Sequence, residues 1–359
     1  MKTVGIVTFH RAHNYGAVLQ AYALQETLRL NGFNPVIIDY YSKFLYGQYE
    51  VFKPISLNPL KTIKHLLSDI KDYTSNRKRY NAFNEFIQSN LKVSKRVDKA
   101  TDISNIKADI LITGSDQVWN INITNGIDDF FYLNLPTDAK KMSYAASLGN
   151  SDVVTGYEAE YVKALNRIDK ISVRESSAKN KLNCLLDKDI KVVLDPTLLL
   201  DEKQWTEKLS LKESKREYIF TYSVGRGSDL FYRTIDKLKD KTGLESITYD
   251  KESKQSRSCY TDGPREFVER LYNAKYVVTS SFHGLVFSIL FHKNVFVIAN
   301  NKPERLLSLL KIVGLEKCVV SRESDIERIM DDNIDWKGVD SRLDNARKES
   351  VKWLIDEAK

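Results

Sequence analysis

The chain has 359 residues, of which 42% are hydrophobic and 29% charged, with a net charge of +7; this is enough apolar content for the cores of two ordinary domains. Cys184, Cys259 and Cys318 have no CxxC spacing and no neighbouring histidine, which excludes a disulfide framework and a zinc site, and no run approaches the roughly 18 apolar residues of a spanning helix. Between Lys53 and Lys99 there are eleven Lys or Arg against four Asp or Glu, so one segment supplies the whole excess charge, yet no nucleic-acid module accompanies it.

The N-terminal MKTVGIVTFH opens directly as a strand with no cleavable leader, so a soluble, cytoplasmic protein is expected. Short β-branched or apolar runs bounded by turn signals predict strands at Thr3–Phe9, Pro35–Asp39, Ile110–Thr113, Lys141–Ala145, Lys170–Val173 and Lys191–Leu194. The charged stretch Asp201–Glu217 reads as a linker with one exposed helical turn. A second series of strands follows at Tyr218–Ser223, Ser246–Tyr249, Lys275–Thr279, Val295–Ile298 and Cys318–Val320. Alternation with helices predicts parallel sheets, so the fold class is α/β with two domains and a cleft between them. The expected boundaries are 1–200 and 218–330, with a closing helix over 340–359.

The stretch from Tyr40 to Ala108 separates two strands by about 70 residues, far beyond an ordinary connecting loop. It reads as an insertion over about 41–108 with its own helices. Tyr40, Tyr41, Phe44, Tyr46, Tyr49 and Phe52 are a packing cluster for those helices, or else a platform for sugar rings or a lipid interface. Lys61, Lys64, Lys71, Arg77, Lys78 and Arg79 lie among apolar residues at helical spacing, as a solvated face or as a surface meeting an anionic membrane or a lipid-diphosphate substrate.

In open α/β sheets ligands bind beyond the carboxyl ends of the strands, so the polar loops there hold the candidate site. After the first strand come His10, Arg11, His13, Asn14 and Gly16, with Gln20 on the helix that follows; they either start that helix or face the cleft. After the third comes Gly114–Asn120, where Asp116 is a helix cap or a base, next to Gln117. Arg174 ends another strand and suits bidentate contact with phosphate or carboxylate. Arg226 lies in the nest-like Gly225–Asp229 loop. Ser280, Ser281, His283 and Gly284 stand where a strand gives way to an apolar helix, whose N-terminus attracts anions. Arg305, behind Pro303, begins a further helix.

NYGAVLQAYAL (Asn14–Leu24), GSDQVWN (Gly114–Asn120), SVRES (Ser172–Ser176), DPTLLL (Asp195–Leu200) and SSFHG (Ser280–Gly284) occur in an order that resembles the polysaccharide pyruvyltransferase family over roughly residues 1 to 310. The resemblance implies two Rossmann-like domains in the glycosyltransferase-B arrangement, acceptor side first and donor side second. It implies transfer of the pyruvyl group of phosphoenolpyruvate onto a sugar as a ketal bridging two hydroxyls, in surface polysaccharide biosynthesis. On the matching positions it implies roles for His283 and Arg174. It also implies a basic residue two places before the histidine, where this chain has Ser281.

Phosphoenolpyruvate brings a phosphate and a carboxylate, which the helix start at Ser281–Gly284 and Arg174 are suited to receive, with Arg226 or Arg305 replacing the charge absent at Ser281. His283 is a candidate general acid or phosphate ligand, and Asp116 or a histidine of the first loop a candidate base. No cofactor and no metal is expected, since the paired carboxylates Asp128-Asp129 and Asp331-Asp332 lack further ligands. The expected partners are phosphoenolpyruvate and a sugar or lipid-linked oligosaccharide, with peripheral contact at the inner membrane face and no nucleic acid. A nucleotide-sugar glycosyltransferase of the same fold and a non-catalytic carbohydrate-binding protein are the rival readings; the absence of any Asp or Glu from Arg270 to Pro303 disfavours the former.

Overall fold

Two units make up the chain, Met1–Leu199 with Arg347–Lys359, and Leu200–Ala346; the computed structural model describes residues 1–49, 59–299 and 304–359. Phe52, Lys53 and Pro303 lie outside the described residues, as do the side chains of Lys61, Lys64 and Lys71.

In the first unit the strands are β1 (Thr3–Val7), β2 (Asn34–Tyr40), β3 (Val93–Val97), β4 (Ile110–Gly114), β5 (Lys140–Tyr144), β6 (Ile171–Val173) and β7 (Ile190–Val192). The first five form one parallel sheet in the order β3-β2-β1-β4-β5. β1 and β4 sit in its middle and read as unbroken apolar runs because helices cover both faces. β6 and β7 pair with each other in parallel. They join β5 through single bridges at Met142–Lys170 and Ala146–Val173 and through an exchange of hydroxyls. Ser143 Oγ donates to the Ser172 carbonyl and Ser172 Oγ to that of Ser143, each at 2.9 Å.

The stretch expected as an insertion is instead an enlarged β2-to-β3 crossover. It contains the 32-residue helix Pro59–Asn90, about 48 Å long at 1.5 Å per residue, and β3, which was not expected. VSKRV hides its strand character because β3 is an edge, and edges carry charge against unwanted pairing. The aromatic residues mainly form a packing cluster: Tyr40 stacks on Phe130 at 3.9 Å and Tyr46 is buried, while Phe44 remains exposed.

Arg79 departs from its neighbours in the basic triplet. Arg77 and Lys78 are exposed, but the Arg79 guanidinium lies 4.7 Å from the Tyr15 and Phe83 rings. It donates to Tyr15 Oη and, at 3.0 Å, to the His13 carbonyl. His13 stacks on Phe83 at 5.1 Å with Tyr49 and Tyr80 against its other sides. The long helix therefore fastens the loop after β1.

In the second unit β8 (Ile219–Tyr222), β9 (Ser246–Thr248), β10 (Arg257–Ser258), β11 (Tyr276–Thr279) and β12 (Asn294–Val297) form a parallel sheet in the order β10-β9-β8-β11-β12. The order matches that of the first unit, so both are Rossmann-like. The strand expected at Cys318–Val320 is reduced to one bridge between Val319 and Val297, after a 3-10 turn at Glu316–Cys318. The expected linker begins with a helix, Glu202–Leu209, started by a reciprocal capping box between Asp201 and Gln204. Its Trp205 is fully buried, 5.0 Å from the Phe287 ring, and Leu209 four residues on is buried too. Two apolar residues on one face suffice to dock a helix whose other positions are polar or charged. The closing helix is Trp336–Ala358.

Burial and the nearby Arg79 charge push the His13 imidazole down from 6.5 to about 4. The unfolded chain then binds a proton that the folded one refuses, so stability is full above about pH 6.5 and falls as the pH drops towards 4. In thermal melts across that range, His13→Phe is expected to show a smaller acid-side loss than the parent; equal slopes would exclude His13 as its source.

Candidate functional site

The first unit gathers its polar strand ends around one carboxylate. Asp195, which follows β7 and caps a 3-10 turn at Pro196–Leu198, is 1% exposed. Its Oδ2 accepts from Ser115 Oγ after β4 and from Arg174 Nη1 after β6, each at 2.7 Å. Its Oδ1 accepts from the Thr197 amide at 3.0 Å and the Thr197 hydroxyl at 2.6 Å. Arg174 Nε also donates to Glu175 Oε1 at 3.1 Å, and that oxygen accepts from Ser147 Oγ, beyond β5, at 2.6 Å. Burial alone would push the Arg174 guanidinium down, but Glu175 and Asp195 outweigh it and hold it above its ordinary value. Arg174 is thus a buried positioning group committed to two carboxylates.

Asp116 sits directly after Ser115 with φ of 66°, in the left-handed region that costs a non-glycine residue about 1–2 kcal/mol. Its Oδ1 accepts from the Gln117 amide at 2.8 Å, which stabilises that turn. Gln117 Oε1 accepts from Asn120 Nδ2 at 3.0 Å and lies over Gly149, where any Cβ would collide with it. Ala145, at the end of the neighbouring β5, has φ of 51°. Backbone strain at two adjacent strand ends marks a surface held in one shape by its surroundings.

Of the two alternatives for the loop after β1, Asn14 and Gly16 take the helix-starting one. Asn14 caps the helix Tyr15–Leu30 by accepting from the Ala17 amide, and Gly16 is buried in its first turn. Gln20 does not face solvent. It is fully buried, and its Nε2 donates to Thr8 Oγ1 and the Ala17 carbonyl, both at 2.8 Å. A helix that lies flat on the sheet turns its second-turn residues inward, so Gln20 ties the helix to the end of β1. His10 is also fully buried, with Nδ1 3.2 Å from the Thr8 carbonyl and Nε2 3.1 Å from Asp39 Oδ1. Arg11 Nη2 donates to Asp39 Oδ2 at 2.6 Å. Burial opposes ionisation of Asp39, but these partners outweigh it and hold the carboxyl well below the usual range. Both histidines of the loop are therefore engaged, His10 with Asp39 and His13 among aromatic rings.

In the second unit β11 ends at Thr279 and the helix Phe282–Leu290 begins three residues later. Ser281 is the cap, its Oγ accepting from the Gly284 amide at 3.4 Å, while its own amide donates to Thr279 Oγ1 at 3.0 Å. Thr279 Oγ1 in turn donates to the Tyr222 carbonyl of β8 at 2.7 Å. A Cβ on Gly284 would collide with that hydroxyl, which explains the glycine: the helix start lies hard against the strand it leaves. His283 is 8% exposed with the Phe282 ring edge-on at 5.2 Å. Ser280 Oγ and Ser223 Oγ lie 2.8 Å apart, which joins this loop to the one after β8 that carries an exposed Arg226. Arg305 is half-buried in the first turn of the helix Glu304–Val313.

Residues 14–302 match the family model for polysaccharide pyruvyl transferase. The chain belongs to that family. No curated protein matches it in sequence. Among solved structures it is similar to UDP-N-acetylglucosamine 2-epimerase from Rickettsia bellii, with 12% identity and a TM-score of 0.50 over 100% of this chain and 96% of that one. It is similar also to the UDP-GlcNAc 2-epimerase of Neisseria meningitidis bound to UDP-GlcNAc, with 10% identity and a TM-score of 0.50 over 100% and 99%. At such identities the likeness is one of fold, a glycosyltransferase-B-like α/β class with parallel sheets.

The structure brings Arg174 together with Asp195, Glu175, Ser115 and Ser147, and links the segment of Ser280, Ser281, His283 and Gly284 to the loop of Arg226. Asp195 and Glu175 lay inside quoted motifs without a role. The available signal was an acid directly before proline at a strand's exit, in a run too apolar for a solvated charge, and an acid directly after Arg174.

Removing Arg174 leaves Asp195 and Glu175 as uncompensated buried carboxylates, a loss of about 3–5 kcal/mol. Arg174→Ala is expected to lower the urea midpoint of the protein by a corresponding amount, with Arg174→Lys intermediate. A parent-like midpoint for Arg174→Ala would rule out the structural role.

Proposed function

We propose that the protein transfers the pyruvyl group of phosphoenolpyruvate to a sugar of a surface polysaccharide or its precursor, forming a pyruvate ketal. The observation that carries this reading is His283, nearly buried at a helix start and tied through Ser280 and Ser223 to the loop of the exposed Arg226. A proton source at a helix N-terminus, on a loop hydrogen-bonded to one that carries a cation, suits a substrate that is a dianionic phosphate, a carboxylate and a protonatable carbon at once.

A sugar hydroxyl attacks C2 of phosphoenolpyruvate as C3 takes a proton, which turns the methylene into a methyl group. A second hydroxyl of the same sugar then displaces phosphate from C2 and closes the ketal. His283 is the proton donor or the phosphate ligand. Arg226 and Arg305 are the cations of the second unit suited to phosphate and carboxylate, which Ser281 cannot contact by charge. Asp116, held by its strained turn at the surface of the first unit, is the candidate base for the attacking hydroxyl. No metal or cofactor enters this scheme.

Phosphate release from phosphoenolpyruvate that requires an added oligosaccharide, with a matching mass gain on that sugar, is the expected result. His283→Gln should lower kcat by at least about 100-fold, the scale of a lost general acid. Turnover that needs a nucleotide sugar instead would establish the glycosyltransferase reading, and sugar binding without turnover would establish a carbohydrate-binding protein.

We also propose peripheral contact with an anionic membrane through the basic helix, bringing the enzyme to a lipid-linked acceptor on the cytoplasmic side. No helix among the described residues is long and apolar enough to cross a membrane. Arg77 and Lys78 are the exposed members of the triplet, whereas Arg79 is engaged internally. Neutralising Arg77 and Lys78 should weaken co-sedimentation with phosphatidylserine liposomes by about 1 kcal/mol per residue at low salt, and unchanged sedimentation would refute the contact.

A further inference from the structure

The second unit holds a surface cavity of about 740 Å³ of whose lining the pyruvyl transfer scheme uses Arg226 alone. It opens at the carboxyl ends of the adjacent parallel strands β8 and β9, and is lined by Gly225, Arg226 and Tyr232 on one side and by Asp250, Glu252, Ser253, Lys254 and Gln255 on the other. Gly225 has φ of 77°, which a side chain would strain. At Gly227 a Cβ would lie 2.6 Å from Phe231 Cδ1 and 3.2 Å from Tyr232 Cζ, so the loop rests directly on those rings.

Three features of the lining select its ligand. Arg226 and Lys254 have no hydrogen-bond or ion-pair partner among the described residues. Asp250 is exposed at the exit of β9, and its Oδ1 accepts from the Glu252 amide at 2.9 Å, which fixes the carboxylate in its turn. Tyr232 supplies a half-buried aromatic ring. Phosphoenolpyruvate is a poor match, because it has no hydroxyl and its anionic groups would meet two carboxylates as well as two cations. A ligand with phosphate at one end and a vicinal diol at the other satisfies both signs of charge. In dinucleotide folds a glycine loop after the first strand takes the phosphates and an acid at the end of the second takes the ribose hydroxyls. Here β8 is the first strand, β9 the second, and the sheet order is the same.

We propose that this cavity binds a ribonucleoside diphosphate, free or as its ester, with Arg226 and Lys254 on the phosphates, Asp250 accepting from the ribose diol and Tyr232 against the ring system. Arg226 is common to this site and to the pyruvyl transfer reading, whereas Lys254, Asp250 and Tyr232 belong to this site alone, so the two are measured separately.

Calorimetric titration of the full chain with UDP, ADP, 2′-deoxyuridine diphosphate and inorganic phosphate tests it. Saturable binding of UDP or ADP is expected, with the deoxy compound weaker by about tenfold, the value of one lost hydrogen bond to a charged group. Asp250→Asn should weaken the ribonucleotide and erase the ribo-to-deoxy difference, and Arg226→Ala should weaken both nucleotides. Both side chains are exposed, so the variants should melt as the parent does. Absence of nucleotide binding, equal binding of ribo and deoxy forms to the parent, or inorganic phosphate binding as tightly as UDP would overturn the proposal. Because these titrations contain no phosphoenolpyruvate, failure of the pyruvyl transfer assay leaves their outcome readable, and the reverse holds too.

Discussion

A carboxylate out of water, at Asp195, is the constraint from which the first unit takes its order. Burying such a charge is prohibitive unless every lone pair is met. Four donors meet it, from residues following β4 and β6 and from the turn after β7. Arg174 brings a positive charge into the same volume and divides it between Asp195 and Glu175. Strand ends that a parallel sheet would leave independent are thereby locked to one another, and the strained Asp116 turn stands on that platform.

The second unit solves the same problem with hydroxyls. Thr279 joins the end of β11 to the Tyr222 carbonyl of β8, Ser223 meets Ser280, and Ser281 caps the helix. Neutral hydrogen bonds hold loops with little desolvation penalty, which leaves Arg226 in solvent and unconsumed. At these strand ends, then, the first unit uses an ion-pair cluster to hold its loops, and the second uses hydroxyls and leaves Arg226 in solvent.

Much of this was legible in the sequence because strands buried on both faces are unbroken apolar runs, and the main parallel strands of both sheets announce themselves that way. β3 did not, since an edge strand is selected for polarity. The Glu202–Leu209 helix did not either, because Trp205 and Leu209 are two apolar residues amid charge. Loop residues were identifiable as polar groups at strand ends, but their direction was not. Gln20 and Arg174 look alike on paper as polar side chains near a mouth, and both turn inward to partners distant in sequence, Arg174 to Asp195 and Gln20 to Thr8. Only the fold supplies those partners.

The serine exchange between β5 and β6 has a mechanical consequence. Backbone bonds run along the seam between these strands from the Asp169 amide on the Lys141 carbonyl to the Arg174 amide on the Ala146 carbonyl, and in its middle the serine hydroxyls stand in for amide–carbonyl pairs. Both ends of the seam are closed as well, by Arg174 and Asp195 at the strand exits and by Asp169, which accepts from the Lys141 amide at 2.8 Å, at the entry. Sliding β6 along β5 would therefore separate buried hydroxyl pairs in addition to the bonds at each end.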